Sequence, residues 1–457
     1  MIKRITLIGL LVMTGTFSFA QNPLITNIYT ADPAPHVWPT DTTTLYVYSS
    51  HDEPLSNSHI RGMNDYHVFS TNDLVHWTDH GQILHWNRVP WAVDQAWAID
   101  AVYWKGKYYL ITCMRGEDQK FRTGVAVSER PQGPFTDCGY IRDADFGQDP
   151  AVYVENGKAY LFWGHDRTCF GAELNDDLLS IKKETLVNLR PQLPHVFEAP
   201  WVIKRNGRYL LMYPGLPDRG WPQKYYYAEA EKPLGPYEYK GIFIDDWAGQ
   251  SSTTHGGIVR FKGRDIMFYH GSILSGGLSE SRSIMADWVD YDKDGSIKLI
   301  RPTKKGLGLA ERTWTTVHLE AEEGNLLGGE LHGVYVDNSY KGYTGRGYVT
   351  GFDMYNDYCS FLGQSAKDEK YRLRIRYRAD GGKNDAMVFV NTWLLKNVKF
   401  VDTEGEWKVL DCGNVSLRAG NNDIRVIRGW WPNTGLCIDY IELAQIDERG
   451  RTVEEAK

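Results

Sequence analysis

The feature that most limits how this chain can fold is a layout repeated five times in its first three hundred residues. An ionisable residue comes first, then a short apolar strand, a tight turn, and a second strand built on Tyr-Leu or an equivalent pair. Asp32 leads ADPAPHVWPTDTTTLYVYSS, Asp100 leads AIDAVYWKGKYYLITCM and Asp149 leads QDPAVYVENGKAYLFWG. Glu198 leads FEAPWVIKRNGRYLLMYPG and His255 leads THGGIVRFKGRDIMFYHG. These residues are 68, 49, 49 and 57 positions apart. Further strand pairs follow, as in DYHVFSTNDLVHWTDHG and GVAVSERPQGPFTDCGY. Units of about 50 residues with four strands each are the signature of a β-propeller, so five blades are predicted between about residues 25 and 305.

In a propeller the first strand of each blade lines the central axis. A residue at the head of every innermost strand therefore points into one shared funnel. That geometry would gather Asp32, Asp100, Asp149, Glu198 and His255, which are spread over more than two hundred positions. Any one of these acids alone reads as a turn residue or a solvated side chain; the set is far more specific. Several carboxyl groups in one pocket suit acid–base cleavage of a glycosidic bond, where one protonates the leaving oxygen and another activates water or attacks carbon. Phe197 and Trp201 give Glu198 the apolar setting that a proton donor needs. Asp32, in a polar Thr-Ala-Asp-Pro turn, is the better base. Trp97 and Trp221 are candidate walls for a sugar ring.

Beyond residue 305 the pattern changes. Strands such as YRLRIRYRA, AMVFVNTWLL and WKVLDCGNVSL alternate apolar and polar residues, which predicts a β-sandwich of jelly-roll type. The predicted fold is all-β. It comprises a propeller at 21–310, a sandwich at 311–446 and a charged tail at 447–457, the whole preceded by a signal peptide at 1–20. That leader has Lys3 and Arg4, an apolar run from Ile5 to Met13, and Ser18-Phe19-Ala20 before Gln21. It predicts a periplasmic or secreted protein with no membrane span. Six Cys fall three to each half, which fits buried thiols better than a disulfide framework. A net charge of −7, with both signs spread along the chain, argues against a nucleic-acid partner. A monomer is expected.

At these motifs the first domain resembles the family 43 glycoside hydrolases, five-bladed propellers that invert configuration. ADPAP, HVFSTNDLVHWTDHG, DPAVYVENGKAYLFWG, FEAPWV and HGGIVRFKGRDIMFYHG carry the resemblance. It implies Asp32 as general base, Glu198 as general acid and Asp149 as the residue that tunes and orients the acid. It implies that His255 lies at the pocket floor, beside a calcium or water cluster in the propeller channel, and that Arg282 contacts the sugar. WAID at 97–100 departs from the usual Trp-Ala-Pro-Asp, which clouds Asp100. The second domain resembles carbohydrate-binding modules of family 35 or family 6, through VHLEAEEG, YTGRGYVTGF and GLCIDYIEL. In such modules a structural calcium is bound by acids that here would be Glu320, Glu322 and Asp439. The GWWPN loop makes Trp430, Trp431 and Asn433 the sugar contacts. The resemblance implies removal of terminal L-arabinofuranose or D-xylose from plant polysaccharide, with no cofactor in catalysis. Galactan- or arabinan-active enzymes and a non-catalytic sugar-binding propeller are the alternatives.

Overall fold

The computed structural model describes residues 22–52, 62–144, 147–309, 316–327, 333–354, 357–365, 367–381, 384–429, 435–447 and 450–452. The leader and the trio Trp430, Trp431 and Asn433 lie outside these residues.

Five antiparallel sheets form the first domain. The first blade orders β1 (Tyr29–Trp38), β2 (Asp41–Asp52), β3 (Asp65–Thr71) and β4 (Thr78–His85). The second holds β5 (Ala92–Trp104), β6 (Lys107–Gly116), β7 (Phe121–Ser128) and β8 (Thr136–Tyr140). In the third are β9 (Ala151–Glu155), β10 (Lys158–Trp163), β11 (Phe170–Glu173) and the short β12 (Val187–Asn188). The fourth has β13 (Trp201–Arg205), β14 (Arg208–Gly215), β15 (Lys224–Ala230) and β16 (Glu238–Ile244). The fifth has three strands, β17 (Gly256–Phe261), β18 (Arg264–Gly271) and β19 (Ser283–Trp288). The left-handed residues that tight turns need sit at Asn156-Gly157 and Asn206-Gly207, all four at positive φ.

Where a fourth strand of the last blade is expected, residues 22–24 lie beside β19. Leu24 N–H donates to Ile284 O at 2.8 Å, and Thr30 N–H donates to Arg282 O at 2.9 Å just ahead of that strand. Asn22 fastens this segment: its amide exchanges hydrogen bonds with Ala286, and its Nδ2 also donates to Thr303 O. The two ends of the propeller are thereby joined without a shared strand.

The second domain packs two sheets face to face. One orders β22 (Tyr335–Asp337), β23 (Tyr348–Thr350), β30 (Leu436–Gln445), β25 (Glu369–Ala379) and β28 (Lys408–Leu417), with β20 (Thr316–Glu320) on β30. The other orders β21 (Asn325–Leu327), β24 (Tyr358–Ser365), β29 (Gly420–Arg428), β26 (Asn384–Val390) and β27 (Trp393–Phe400). β25 alternates buried and half-exposed residues along its length, so Tyr371, Leu373, Ile375 and Tyr377 enter the core while the arginines between them face out. All six cysteines are free; five are buried and Cys138 is exposed. Among the described residues no helix is long and apolar enough to cross a membrane.

Candidate active site

Asp32 and Asp149 each precede a proline and each adopt a left-handed backbone, with φ of 52° and 51°. The third such bend, φ 51°, falls on Ala199 before Pro200, so Glu198 leads it by one residue. Non-glycine residues adopt this conformation rarely, and it concentrates where side chains must be aimed. Here it turns three acids into one pocket, lined also by Met63, Trp97, Ala98, Gln148, Thr253, Thr254, His255 and Arg282.

Asp32, 5% exposed, is held from every side. Ser50 Oγ donates to its Oδ2 at 2.8 Å, Arg282 Nη1 donates to Oδ1 at 3.2 Å, and the rings of His255 and His270 lie 3.5 Å from Oδ1. Burial pushes its carboxyl up, but the Arg282 charge and the His255 contact more than offset this and hold it well below the usual carboxylate range. Asp32 is therefore an ionised acceptor in a buried site. His270 is the reverse case: burial and the Arg282 charge keep it far below an ordinary histidine. Its neutral ring accepts the Asp32 N–H at Nδ1, 3.1 Å away, and faces Thr253 O through Nε2.

Glu198 is 9% exposed and has a different setting. Gln223 Nε2 donates to its Oε1 at 2.8 Å, and His165 Nδ1 is 3.7 Å from Oε2. The apolar wall expected from both neighbours is only half present. Phe197 packs against Trp221 with centroids 5.2 Å apart, but Trp201 turns into the blade interface, where its Nε1 donates to Ile258 O. Asp149 lines the same pocket beside Gln148, whose Oε1 is buried without a hydrogen-bond partner.

Two expectations need correction. Asp100 does not reach the pocket: its Oδ1 accepts from His36 Nε2 and its Oδ2 from Val152 N–H, both at 2.6 Å, so it ties three blades together. The reason is register, since β5 begins eight residues before Asp100, whereas Asp149 and Glu198 precede their strands. Arg282 is not free to hold a sugar. Its Nε and Nη2 clamp Asp52 at 2.7 and 2.8 Å, Nη1 serves Asp32 and Thr253, and Nη2 also points at Met63 Sδ. All five guanidinium hydrogens are thus used within the protein. Trp97 lines the pocket, whereas Trp221, 49% exposed, stands outside its lining and packs on Phe197. Sequence reasoning missed Ser50, Asp52, Gln223 and His270; the polar run SSHD at the end of β2 was the available signal.

Replacing Arg282 with Met leaves Asp32 and Asp52 buried without their cation, at a cost of about 3–5 kcal/mol. With the guanidinium gone Asp32 takes up its proton at higher pH. The acid limb of activity should then rise by about one to three pH units. Thermal melting and a pH–rate profile check both.

The acids expected to hold calcium in the second domain do converge on one loop. Thr344 N–H donates to Asp439 Oδ1 at 2.9 Å, Thr344 Oγ1 to Glu320 Oε2 at 2.8 Å, and Arg346 N–H to Glu322 Oε1 at 2.6 Å. Glu322 Oε2 is buried and has no hydrogen-bond partner, and a Cβ at Gly345 would collide with this carboxylate. Glu322 Oε2 is thus a free hard oxygen for a cation, but Asp439 Oδ2 already pairs with Arg376 Nη1 and Glu320 Oε1 with His318 Nε2, so the three acids share a loop without forming a converged ligand set. His255 lacks such a surround: it offers one ring nitrogen, facing an Asp32 carboxylate already engaged by Arg282 and Ser50. Among the described residues the set whose ligand atoms do converge, His51, Asp65 and His67, lies elsewhere.

Residues 20–297 match the family described as Glycosyl hydrolases family 43, and residues 318–445 match Carbohydrate binding module (family 35). The chain is 35% identical over 333 residues to Xylosidase/arabinosidase 43A of Humicola insolens, covering 61% of this chain and 99% of that protein. A xylosidase/arabinosidase of Bacteroides ovatus is 32% identical over 320 residues, 60% of this chain and 95% of the relative. Among solved structures, a β-xylosidase/α-arabinofuranosidase from a compost microbial metagenome, in complex with xylotriose, superposes with a TM-score of 0.55 at 32% identity, over 61% of this chain and 97% of that one. An arabinoxylan arabinofuranohydrolase from Bacillus subtilis covers 93% of this chain and 98% of its own with a TM-score of 0.57; at 20% identity it shows the shared fold alone.

Proposed function

The chain belongs to the glycosyl hydrolases of family 43 and carries a family 35 carbohydrate-binding module; from that membership we propose an exported, inverting glycosidase that releases terminal L-arabinofuranose or D-xylose from plant cell-wall polysaccharide or its oligosaccharides. The observation that carries this reading is the pairing of an ionised Asp32 with Glu198 in one buried pocket. Asp32 accepts a proton from water as its oxygen attacks the anomeric carbon. Glu198 gives its proton to the departing glycosidic oxygen, so the bond to the leaving sugar breaks as the bond to water forms. Gln223 fixes the Glu198 carboxyl through Oε1. Arg282, bound by Asp52, keeps Asp32 ionised and correctly turned. Asp149, at the corresponding bend of the neighbouring blade, orients and tunes the acid.

Turnover on aryl α-L-arabinofuranoside or β-D-xyloside is the expected result, with β-D-galactoside as the contrast. Absence of turnover on both pentosides would overturn the assignment, and preference for the galactoside would move it to a galactan-active enzyme.

The second domain is proposed to bind the same polymers through Trp430, Trp431 and Asn433, with calcium held by Glu322 and, in place of their His318 and Arg376 partners, by Glu320 and Asp439. Chelation should lower the melting temperature of this domain and added calcium restore it. An unchanged melting curve, with no terbium luminescence from the site, would contradict the calcium assignment.

A further inference from the structure

Three segments hold the base. β1 carries Asp32, the end of β2 carries Ser50 and Asp52, and residues 272–282 end in Arg282. The binding module touches all three from behind.

On β1, Tyr29 precedes the base by three residues. Its hydroxyl accepts from Asn421 Nδ2 of the module at 3.3 Å, and its ring clusters with Leu362 of β24 and Leu274. Leu274 belongs to the segment that delivers Arg282, so one apolar contact couples the module to two of the three segments. Asn27, just ahead of β1, donates to the module's Glu323 O at 3.1 Å.

The contact on β2 is more direct. Side chains alternate along a strand, so Ser50 and Asp52 face Asp32 and Arg282 while His51 takes the opposite face. Ser50 binds Asp32 and Asp52 clamps Arg282. His51, between them, is gripped on both ring nitrogens: Asp65 Oδ1 lies 2.8 Å from Nδ1, and Asn325 Oδ1 of the module lies 2.9 Å from Nε2. Asn325 is 1% exposed and its amide nitrogen is engaged by Ser360 Oγ, which leaves its oxygen as the acceptor for His51. Asp65 is itself pinned by Gln82 Nε2 at 2.6 Å. A strand end fixed from both faces cannot shift without moving the groups that hold the base.

We propose that the carbohydrate-binding module is a structural part of the catalytic centre, and that Asn325 is a positioning residue that acts through His51 on Ser50, Asp52 and Arg282 to place Asp32. The inference rests on Asp32 being the base. It gives the module a role on substrates too small to reach any sugar site of its own.

The experiment uses the full chain and a small aryl pentoside, with rates taken per folded enzyme. Asn325→Leu keeps the side-chain size and removes the acceptor. Its kcat should fall by about three- to tenfold with KM unchanged. Asn325→Asp, which retains the acceptor oxygen, should restore most of the loss. Azide attacks carbon without needing a base, so it should accelerate Asn325→Leu turnover and give glycosyl azide. An inactive wild type would refute the base assignment instead. Normal kcat in Asn325→Leu, or a loss that neither azide nor Asn325→Asp relieves, would overturn the proposal and leave Asn325 as a packing contact. Should Asn325→Leu not fold, Asn421→Ala releases Tyr29 at the partly exposed margin of the same interface and is read in the same way.

Discussion

Asp32→Asn lowers kcat by about a thousandfold or more, and by the same factor whatever the leaving group. Asparagine has the size of aspartate; its oxygen can still accept from Arg282 Nη1 while its Nδ2 donates to Ser50 Oγ, so the pocket keeps its shape. What it loses is the capacity to take a proton from water. Arg282 retains its bidentate partner Asp52, which limits the cost to folding. Stability should move far less than activity, and melting measured beside kcat separates the two. Azide should rescue this variant strongly, because an anionic nucleophile arrives already deprotonated. A variant that keeps a tenth of wild-type activity would remove Asp32 from the role of base.

Glu198→Gln has an effect that depends on what departs. Leaving groups that are stable as anions need little protonation, so aryl substrates with acidic phenols should lose about tenfold. Sugar leaving groups, which depart poorly without a proton, should lose about a thousandfold or more. The glutamine can keep a hydrogen bond with Gln223, so the geometry at β13 is preserved. A plot of log kcat against leaving-group acidity should steepen in this variant and stay parallel to wild type in Asp32→Asn. Equal losses on all substrates would contradict the assignment of Glu198 as acid.

Much of this site is legible in the sequence because propeller symmetry converts repeat position into spatial position. Asp32, Asp149, Glu198 and His255 are found together for that reason. The same rule misplaces Asp100. The repeat gives a residue's place in a unit but not the number of residues its strand extends ahead of it, and β5 starts early. Arg282 is identified by motif and given the wrong partner, since a guanidinium's destination depends on which carboxylate lies nearest in three dimensions. That carboxylate, Asp52, stands 230 positions away. Trp201 fails similarly: adjacency in sequence to Glu198 says nothing about which side of the strand its ring takes. The fastening of the last blade by Asn22 and the seating of the module on Tyr29 and His51 have no local signature, because each joins segments with unrelated sequence patterns.

The mechanism stands most directly on which face of the sugar receives water. Proton NMR during the first turnovers of an aryl α-L-arabinofuranoside or β-D-xyloside observes this before the released sugar mutarotates. With Asp32 activating water opposite the leaving group protonated by Glu198, the first anomer released has the configuration opposite to the substrate's. First appearance of the substrate's own configuration would mean a covalent intermediate, and would contradict Asp32 as a base.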